Sequence, residues 1–268
     1  DPGDWQGGAN NSSWHGTHVA GTIAAATNNG QGIAGIAFGA KVQALRVLGK
    51  CGGYTSDIAD AIAWASGGTV GGAPANATPA KVLNLSLGGG GACDNTTQTA
   101  VNGARARGSV VVVAAGNSNQ NAANFSPASC SGVIAVAATD RNGARAYYSN
   151  FGAVVALAAP GGDMRGNAAS GILSTLNSGT STPAGDSLAY YQGTSMAAPH
   201  VAGVAALMFS VKPSATPDEI ANALKSSARA FPGTCSQCGS GLLDADAAVA
   251  AIGGGTPPPP PTGVNEVE

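Results

Sequence analysis

The chain has 268 residues, of which 44% are hydrophobic and only 10% are charged, and its formal net charge is −2. This length and composition suit one large α/β domain or two small ones with a sizeable core. No basic stripe is present, which argues against a nucleic-acid partner. No apolar run approaches the roughly 18 residues of a membrane span, so we expect no membrane partner.

Short β-branched runs alternate with alanine-rich stretches along the chain. The predicted strands are 41–48, 82–87, 109–115, 133–138 and 154–158, and the predicted helices start near His15, Ser56, Asn95, Thr194, Thr216 and Asp244. The four valines at 110–113 are apolar on both faces, which is typical of a parallel strand covered by helices on each side. The alternation predicts an α/β fold with an open, mostly parallel sheet.

Composition changes near the end of the chain. We predict one domain over 1–252, followed by a glycine- and proline-rich linker or tail over 253–268. At the other end no signal peptide is visible, and the chain begins in what reads as a loop.

Five cysteines leave one unpaired if two disulfides form, and five choices of the free cysteine times three pairings of the rest give 15 possibilities. Few charges and many small polar residues suggest an oxidising, extracellular setting, with buried free thiols as the alternative. We expect a local bridge Cys235–Cys238, for which a zinc or redox site is the weaker reading. For the second bridge we favour Cys51–Cys93, which leaves Cys130 free.

Three segments are candidates for chemistry: residues 15–21 (HGTHVAG), 113–117 (VAAGN) and 193–203 (GTSMAAPHVAG). Ser195 falls at the start of a predicted helix, where the helix dipole and free backbone N–H groups favour an anion. A serine hydroxyl needs a base to act as a nucleophile, and His18 is the candidate. His200 lies on another face of the same helix and is expected to be structural. The simpler interpretation of Ser195 is a helix N-cap.

Asn117 follows an apolar strand, so its amide could donate to a developing oxyanion together with the Ser195 N–H. The alternative is a turn asparagine with a left-handed backbone. His15 and His18 could face one side of a helix as metal ligands, but no third ligand follows at a suitable spacing.

In this order, the three segments resemble the hallmark motifs of bacterial secreted subtilisin-like serine proteases, the subtilase family, over roughly Ser13 to Ala248. The resemblance implies a subtilisin-like fold with helices on both faces of the sheet. It also implies that His18 is the general base, Ser195 the nucleophile and Asn117 the oxyanion donor of an endopeptidase working through an acyl-enzyme. Sedolisin-type peptidases carry a glutamate where this chain has His18, so they fit less well.

The same resemblance implies how an extended peptide would bind. The flanking residues would be Gly52, Gly53, Tyr54, Ser86, Leu87, Gly88 and Gly89, and the S1 pocket would be walled by Ala114, Ala115 and Gly116. Glycines leave room for another backbone to add as a strand. Small apolar walls predict broad specificity with a preference for large apolar side chains before the cut.

One family feature is missing. Subtilases carry an aspartate at the end of a strand ahead of the histidine, and here only 17 residues precede His18. We assign neither Asp1 nor Asp4 as that acid, and we expect the first strand of the sheet to be missing as well. The chain would then be a fragment of a longer enzyme, and inactive alone; the alternative is a degenerate relative that only binds peptides. A serine esterase of another fold would place its histidine late in the chain.

The resemblance also suggests structural calcium. Asp163 resembles a calcium-binding position of some subtilases, where Ser131 and Val133 would add backbone carbonyls. We further expect a secreted monomer that is made as a zymogen with a pro-segment.

Overall fold

The computed structural model of the protein describes residues 11–49 and 52–254. The helices are α1 (His15–Ala24), α2 (Thr55–Ala65), α3 (Asn95–Ala106), α4 (Thr194–Val211), α5 (Pro217–Ser226) and α6 (Ala245–Gly253). The strands are β1 (Val82–Leu85), β2 (Gly89–Gly90), β3 (Val110–Ala114), β4 (Phe125–Ser126), β5 (Ile134–Thr139), β6 (Val155–Pro160), β7 (Ile172–Asn177) and β8 (Asp186–Tyr191). Each predicted helix start is confirmed to within one residue.

The centre of the fold is a parallel sheet with the strand order β1-β3-β5-β6. β3 pairs with β1 on one side and with β5 on the other, and all of these pairs are parallel. The predicted strands 82–87, 109–115, 133–138 and 154–158 correspond to these four. The prediction of an α/β fold with a parallel sheet is confirmed.

Both faces of the sheet are covered. Val110, Val112 and Ala114 of β3 pack into a core that includes residues of α4, α5 and α6. Val111 and Val113 point to the other face and pack into a core that includes residues of α2 and α3. This two-sided burial explains the continuous valine run, since a strand with one face exposed to solvent would alternate apolar and polar residues.

The predicted strand at 41–48 is wrong, since this segment has no strand geometry. Its apolar side chains are largely exposed, with Val42 at 50% and Leu45 at 40%. A strand persists only where another strand completes its hydrogen bonds. No neighbouring strand among the described residues does so for this segment, so propensity alone does not make it a strand.

The antiparallel hairpin of β7 and β8 was not predicted from the sequence. Ile172 pairs with Tyr191 at its open end and Asn177 with Asp186 next to the turn, and the hairpin packs on α1. Several of its residues are only half-buried, so its hydrophobic pattern is weak. The small antiparallel pair of β2 and β4 has two residues a strand, which is too short for any periodic signal.

One helix meets the length and composition of a membrane span, contrary to the expectation from the sequence. It is α4, with a mean hydropathy of 1.4 over 18 residues, and 67% of that window is buried. α4 packs against β3 and β5 and against α1 and α6. Its apolar surface is therefore accounted for by the core.

The described residues form two disulfides, Cys93–Cys130 and Cys235–Cys238. The second was predicted. The predicted Cys51–Cys93 bridge is wrong: Cys93 is bonded to Cys130, and Cys51 lies outside the described residues. The physical reason is the pairing of β2 with β4, which brings Cys93 close enough for its N–H to donate to Ser129 Oγ at 2.9 Å.

The predicted domain boundary at 252 falls at the end of α6. Residues 255–268, which make up most of the predicted linker, lie outside the described range. The division into a domain and a tail therefore stays a prediction.

Candidate active site

Ser195 occupies the first turn of α4. Gly193 precedes the helix with a φ of 150°, a value that favours glycine, and Thr194 is the first helical residue. The backbone N–H of Ser195 is among the first four of the helix, which have no partner within it. The Ser195 hydroxyl thus lies at the positive end of the helix dipole, as the sequence predicts.

Ser86 lies directly against Ser195. Ser86 Oγ donates to Ser195 O at 2.8 Å, and Ser195 Oγ donates to Ser86 O at 3.3 Å. The structure therefore brings the segment from Ser86 to Gly89, which follows the edge strand β1, beside the predicted nucleophile. Gly89 begins β2, and β2 pairs with β4.

Asn117 is held by Thr194, the neighbour of Ser195. Asn117 Oδ1 accepts from the Thr194 N–H at 2.8 Å and from Thr194 Oγ1 at 2.9 Å, and Thr194 Oγ1 also accepts from the Gly116 N–H at 3.1 Å. Two donors on Oδ1 fix which way the amide faces. Asn117 Nδ2 donates no hydrogen bond within the described chain.

Asn117 Nδ2 and the Ser195 nitrogen border the same small volume. A Cβ placed on Gly193 would lie 3.6 Å from each of these two nitrogen atoms. Two nitrogen donors within 3.6 Å of one point, next to a serine hydroxyl, could together stabilise an oxyanion there. Thr194, which orients one of the donors, was not singled out by the sequence analysis, because its bond to Asn117 joins residues 77 positions apart.

His18 is fully buried in the first turn of α1, a helix that packs against α4. Its Nε2 lies 3.0 Å from Ile172 O and 3.0 Å from Ala189 O, one carbonyl from each strand of the β7–β8 hairpin. Its ring stacks on Tyr191 with centroids 4.5 Å apart. His18 makes no hydrogen bond with Ser195 here, and its role as the base stays a prediction.

The two carbonyls fix the tautomer of His18. A carbonyl oxygen only accepts, so Nε2 carries the hydrogen and Nδ1 carries a lone pair. Nδ1 is buried and has no hydrogen-bond partner among the described residues. A base acting on Ser195 through Nε2 needs the opposite tautomer, with the hydrogen on Nδ1. No carboxylate in 11–49 or 52–254 reaches Nδ1, and Asp1 and Asp4 lie outside those ranges.

Burial lowers the pKa of His18 below its ordinary value of 6.5, although the two carbonyl contacts oppose this shift. Burial and the nearby His18 lower the pKa of His15 in the same way. His200 places Nδ1 2.7 Å from Met196 O of its own helix and makes no hydrogen bond with Ser195. This contact supports the prediction that His200 is structural.

The predicted wall of the S1 pocket lies at the carboxyl end of β3. Ala114 and Ala115 are buried, and Gly116 has a φ of 105°. Gly52, Gly53 and Tyr54 are exposed just ahead of α2, and no hydrogen bond links them to the Ser86 segment. Their part in substrate binding stays a prediction.

The predicted calcium ligands do not come together. Ser131 and Val133 precede β5, whereas Asp163 follows β6, and these strands are parallel, so the two groups lie at opposite edges of the sheet. Asp163 Oδ2 is paired with Arg165 at 2.6 Å, and this partner lowers the pKa of Asp163. Ser131 O accepts from Gln98 Nε2. The set Asp163, Ser131 and Val133 does not fit a calcium ion, and the described residues contain no cluster of three or more acidic, histidine or cysteine ligands.

Comparison with known proteins gives matches over most of the chain. Residues 2–241 match the subtilase family. An extracellular protease of Xanthomonas campestris pv. campestris is 60% identical over 261 residues, which cover 94% of this chain and 44% of the relative. An extracellular basic protease of Dichelobacter nodosus is 50% identical, covering 90% and 40%. The chain thus spans less than half the length of these two relatives.

Solved structures agree with the sequence comparison. A protease from Pseudoalteromonas arctica PAMC 21717 is 62% identical and superposes with a TM-score of 0.90, covering 94% of this chain and 77% of that chain. A cold-adapted subtilisin-like serine proteinase is 34% identical, with a TM-score of 0.68 and coverage of 86% and 74%. With these matches and the site geometry, the chain belongs to the subtilase family.

Proposed function

We propose that this chain supplies the nucleophile, the base and the oxyanion site of a secreted serine endopeptidase. The observation that carries the proposal is the volume bordered by the Ser195 nitrogen and Asn117 Nδ2 at the start of α4. The N-cap of α4 is Gly193, so Ser195 is not a helix cap, and a purely structural serine would not need a second donor held in place by Thr194. The extracellular proteases among the relatives support the same assignment.

The proposed reaction gives each of these groups one role. Ser195 Oγ attacks the carbonyl carbon of the scissile peptide bond while its proton passes to His18 Nε2. The carbonyl oxygen becomes an anion that accepts from the Ser195 N–H and from Asn117 Nδ2. Collapse of this intermediate breaks the C–N bond, the amine leaves with the proton from His18, and the acyl-enzyme is hydrolysed by water along the same path.

Activity requires a carboxylate at His18 Nδ1. A carboxylate there would draw the hydrogen to Nδ1 and leave a lone pair on Nε2. Nε2 could then no longer donate to Ile172 O and Ala189 O. The same acid would stabilise the imidazolium that forms during the reaction, an effect worth about 10⁴ in kcat in a related triad. No residue in 11–49 or 52–254 fills this role and the sequence analysis assigns it to neither Asp1 nor Asp4, so we propose that these 268 residues alone have little peptidase activity.

The substrate would be an extended peptide lying along the Ser86 segment. Gly89 has open space where a side chain would stand, which leaves room for an added strand, and Ser86 already contacts Ser195. The small residues Ala114, Ala115 and Gly116 favour large apolar side chains before the cut. A cleavage profile on a peptide library should be dominated by aromatic and aliphatic residues there; dominance of lysine or aspartate would rule out this specificity.

The proposal is tested with an apolar succinyl-peptide anilide. The protein expressed from its complete gene and the 268-residue chain are compared with their Ser195→Ala and His18→Ala variants. We expect the first protein to be active, both substitutions to abolish that activity, and the 268-residue chain to be slower by about 10⁴. Unchanged hydrolysis by the Ser195→Ala variant would disprove the proposed function.

A second candidate, a peptide-binding protein without catalysis, is favoured by the contacts of His18 with the β7–β8 hairpin. In that case peptides would bind along the Ser86 segment while Ser195 stayed unactivated. A fluorophosphonate probe distinguishes the two functions, because it reacts rapidly only with an activated serine. Labelling of the complete protein favours the peptidase, and peptide binding without labelling favours the binding protein.

The proposed setting is extracellular. Two disulfides imply folding in an oxidising compartment, and the two relatives described above are named as extracellular proteins. We also propose that the protein matures from a zymogen by removal of a pro-segment and that it acts as a monomer. Structural calcium also remains part of the proposal, without ligands assigned among the described residues.

A further inference from the structure

We infer that Asn150 is a positioning residue for the oxyanion site, an inference that rests on the proposed function. Asn150 is fully buried and does not belong to any of the motifs that the sequence analysis singled out. It lies 33 positions beyond Asn117 in the sequence, yet it binds the backbone on both sides of that residue. Its hydrogen bonds hold the loop at 115–120, which has Asn117 near its middle. We call Asn150 the clamp of this loop.

Three groups of Asn150 bind the loop: its side-chain nitrogen, its side-chain oxygen and its backbone N–H. On the near side of Asn117, Asn150 Nδ2 donates to Ala115 O at 2.9 Å and the Asn150 N–H donates to Gly116 O at 2.9 Å. On the far side, Asn150 Oδ1 accepts from Ser118 N at 2.9 Å and from Gln120 N at 3.0 Å. The Asn150 amide can make all three side-chain bonds because its nitrogen donates and its oxygen accepts twice.

The loop needs such a clamp because its backbone is irregular. β3 ends at Ala114, and Gly116 and Asn119 both have positive φ values, 105° and 52°. A Cβ on Gly116 would collide with the Asn150 side chain, so the fit between loop and clamp is close. Asn117 itself is exposed and is held by Thr194 alone. The direction of its amide therefore depends on where the clamped backbone holds its Cα.

Loss of the clamp should impair the transition state more than substrate binding. Asn150→Ala leaves Ala115 O, Ser118 N and Gln120 N without their partner, and the loop relaxes. Misplacement of a catalytic group by about 1 Å can cost about 10² in rate. In the complete protein we expect kcat to fall about 10- to 100-fold with KM changed by less than about threefold, and inhibition by a peptide boronic acid to weaken in step with kcat/KM.

Asn76→Ala is the matched control. Asn76 Nδ2 donates to Trp64 O and Ala65 O, and its Oδ1 accepts from Thr78 N, so it clamps another loop with the same kinds of bonds. This substitution removes a comparable set of bonds and should leave kcat unchanged. Equal kcat in the Asn150→Ala variant and the parent would overturn the inference, and so would an equal fall in both variants.

A second measurement does not depend on activity. Amide hydrogen exchange on the 268-residue chain should show faster exchange at Ser118 and Gln120 in Asn150→Ala, and unchanged exchange there in Asn76→Ala. If both amides keep their protection in Asn150→Ala, the clamp is wrong even if the protein is an active peptidase. If protection is lost in Asn150→Ala while the complete protein proves inactive, the clamp stands and the proposed function fails.

Discussion

The site depends at the residue scale on one asparagine amide held by one threonine. Asn117 Oδ1 takes both polar hydrogens of Thr194, so Nδ2 is left to face the volume beside Ser195. The oxygen of this side chain is bonded to Thr194, and its nitrogen is the donor that we propose for the oxyanion.

Asn117→Ala should therefore lower kcat by about 10²–10³, the range found on removal of one such donor in a subtilisin. KM should change little, because the lost interaction is made mainly in the transition state. Steady-state hydrolysis of a peptide anilide by the complete protein measures both constants. The control is Asn121→Ala, which removes a local contact to Ala123 N; a loss of similar size there would contradict the assignment.

The sequence predicts Ser195 and Asn117 as site residues because each lies in a motif of fixed spacing. It did not identify Thr194 or Asn150 as partners of this loop, because their bonds join residues 30 to 78 positions apart. The orientation of His18 also could not be predicted. It depends on carbonyl groups of the β7–β8 hairpin, which lie more than 150 positions away and give no local signal near His18.

At the scale of elements, helices were predicted better than strands. Helix α5 begins where Thr216, Pro217 and the first-turn acids indicate, with Thr216 and Glu219 forming a reciprocal capping box. Such signals are local. The segment at 41–48 has strand propensity without a partner, and β2 has no pattern at all, so both depend on tertiary context that one sequence does not reveal.

Thr216→Ala should reduce the free energy of unfolding by about 1 kcal/mol, since it removes the side-chain cap of α5. Urea unfolding followed by circular dichroism measures the change. Ser226→Ala, at the other end of the same helix, removes a hydroxyl bonded only to Ala223 O and should cost clearly less. Equal costs for the two variants would mean that the cap contributes nothing specific.

The two disulfides should differ in their contribution to stability. Cys93 and Cys130 enclose 37 positions, and Cys235 and Cys238 only three. By the chain-entropy relation, replacing the first pair with serine should cost about 4 kcal/mol, and replacing the second about 2 kcal/mol. Urea unfolding of the two double variants measures this difference. A larger loss for the second pair would contradict it, and peptide mapping that links Cys51 to Cys93 would contradict the assignment itself.

The pH dependence of stability is a property of the whole molecule, because the pKa values of His15, His18 and His200 are all shifted in the same direction. Burial is the main cause that lowers the pKa of each below 6.5. Around and below pH 6.5 the unfolded chain therefore binds more protons than the folded one, and the free energy of unfolding falls as the pH falls. Their contribution is fully present above pH 6.5 and is lost on acidification.

We expect urea unfolding to give a lower free energy at pH 5.5 than at pH 7.5. The Asp94, Asp163 and Glu219 carboxyls, whose pKa values are also lowered, should lose their contribution only at more acidic pH. His15→Gln should reduce the difference between pH 7.5 and pH 5.5, because one of the titrating groups is removed. Constant or rising stability between pH 7.5 and pH 5.5 would show that the histidines are not held in this buried, neutral form.

The most direct test of the account is to label the complete protein with a fluorophosphonate and to locate the adduct by mass spectrometry. We predict one adduct, on the Oγ of Ser195, formed much more slowly after His18→Ala and absent after Ser195→Ala. An adduct on another residue, or labelling that persists without Ser195, would contradict the claim that the start of α4 carries the nucleophile.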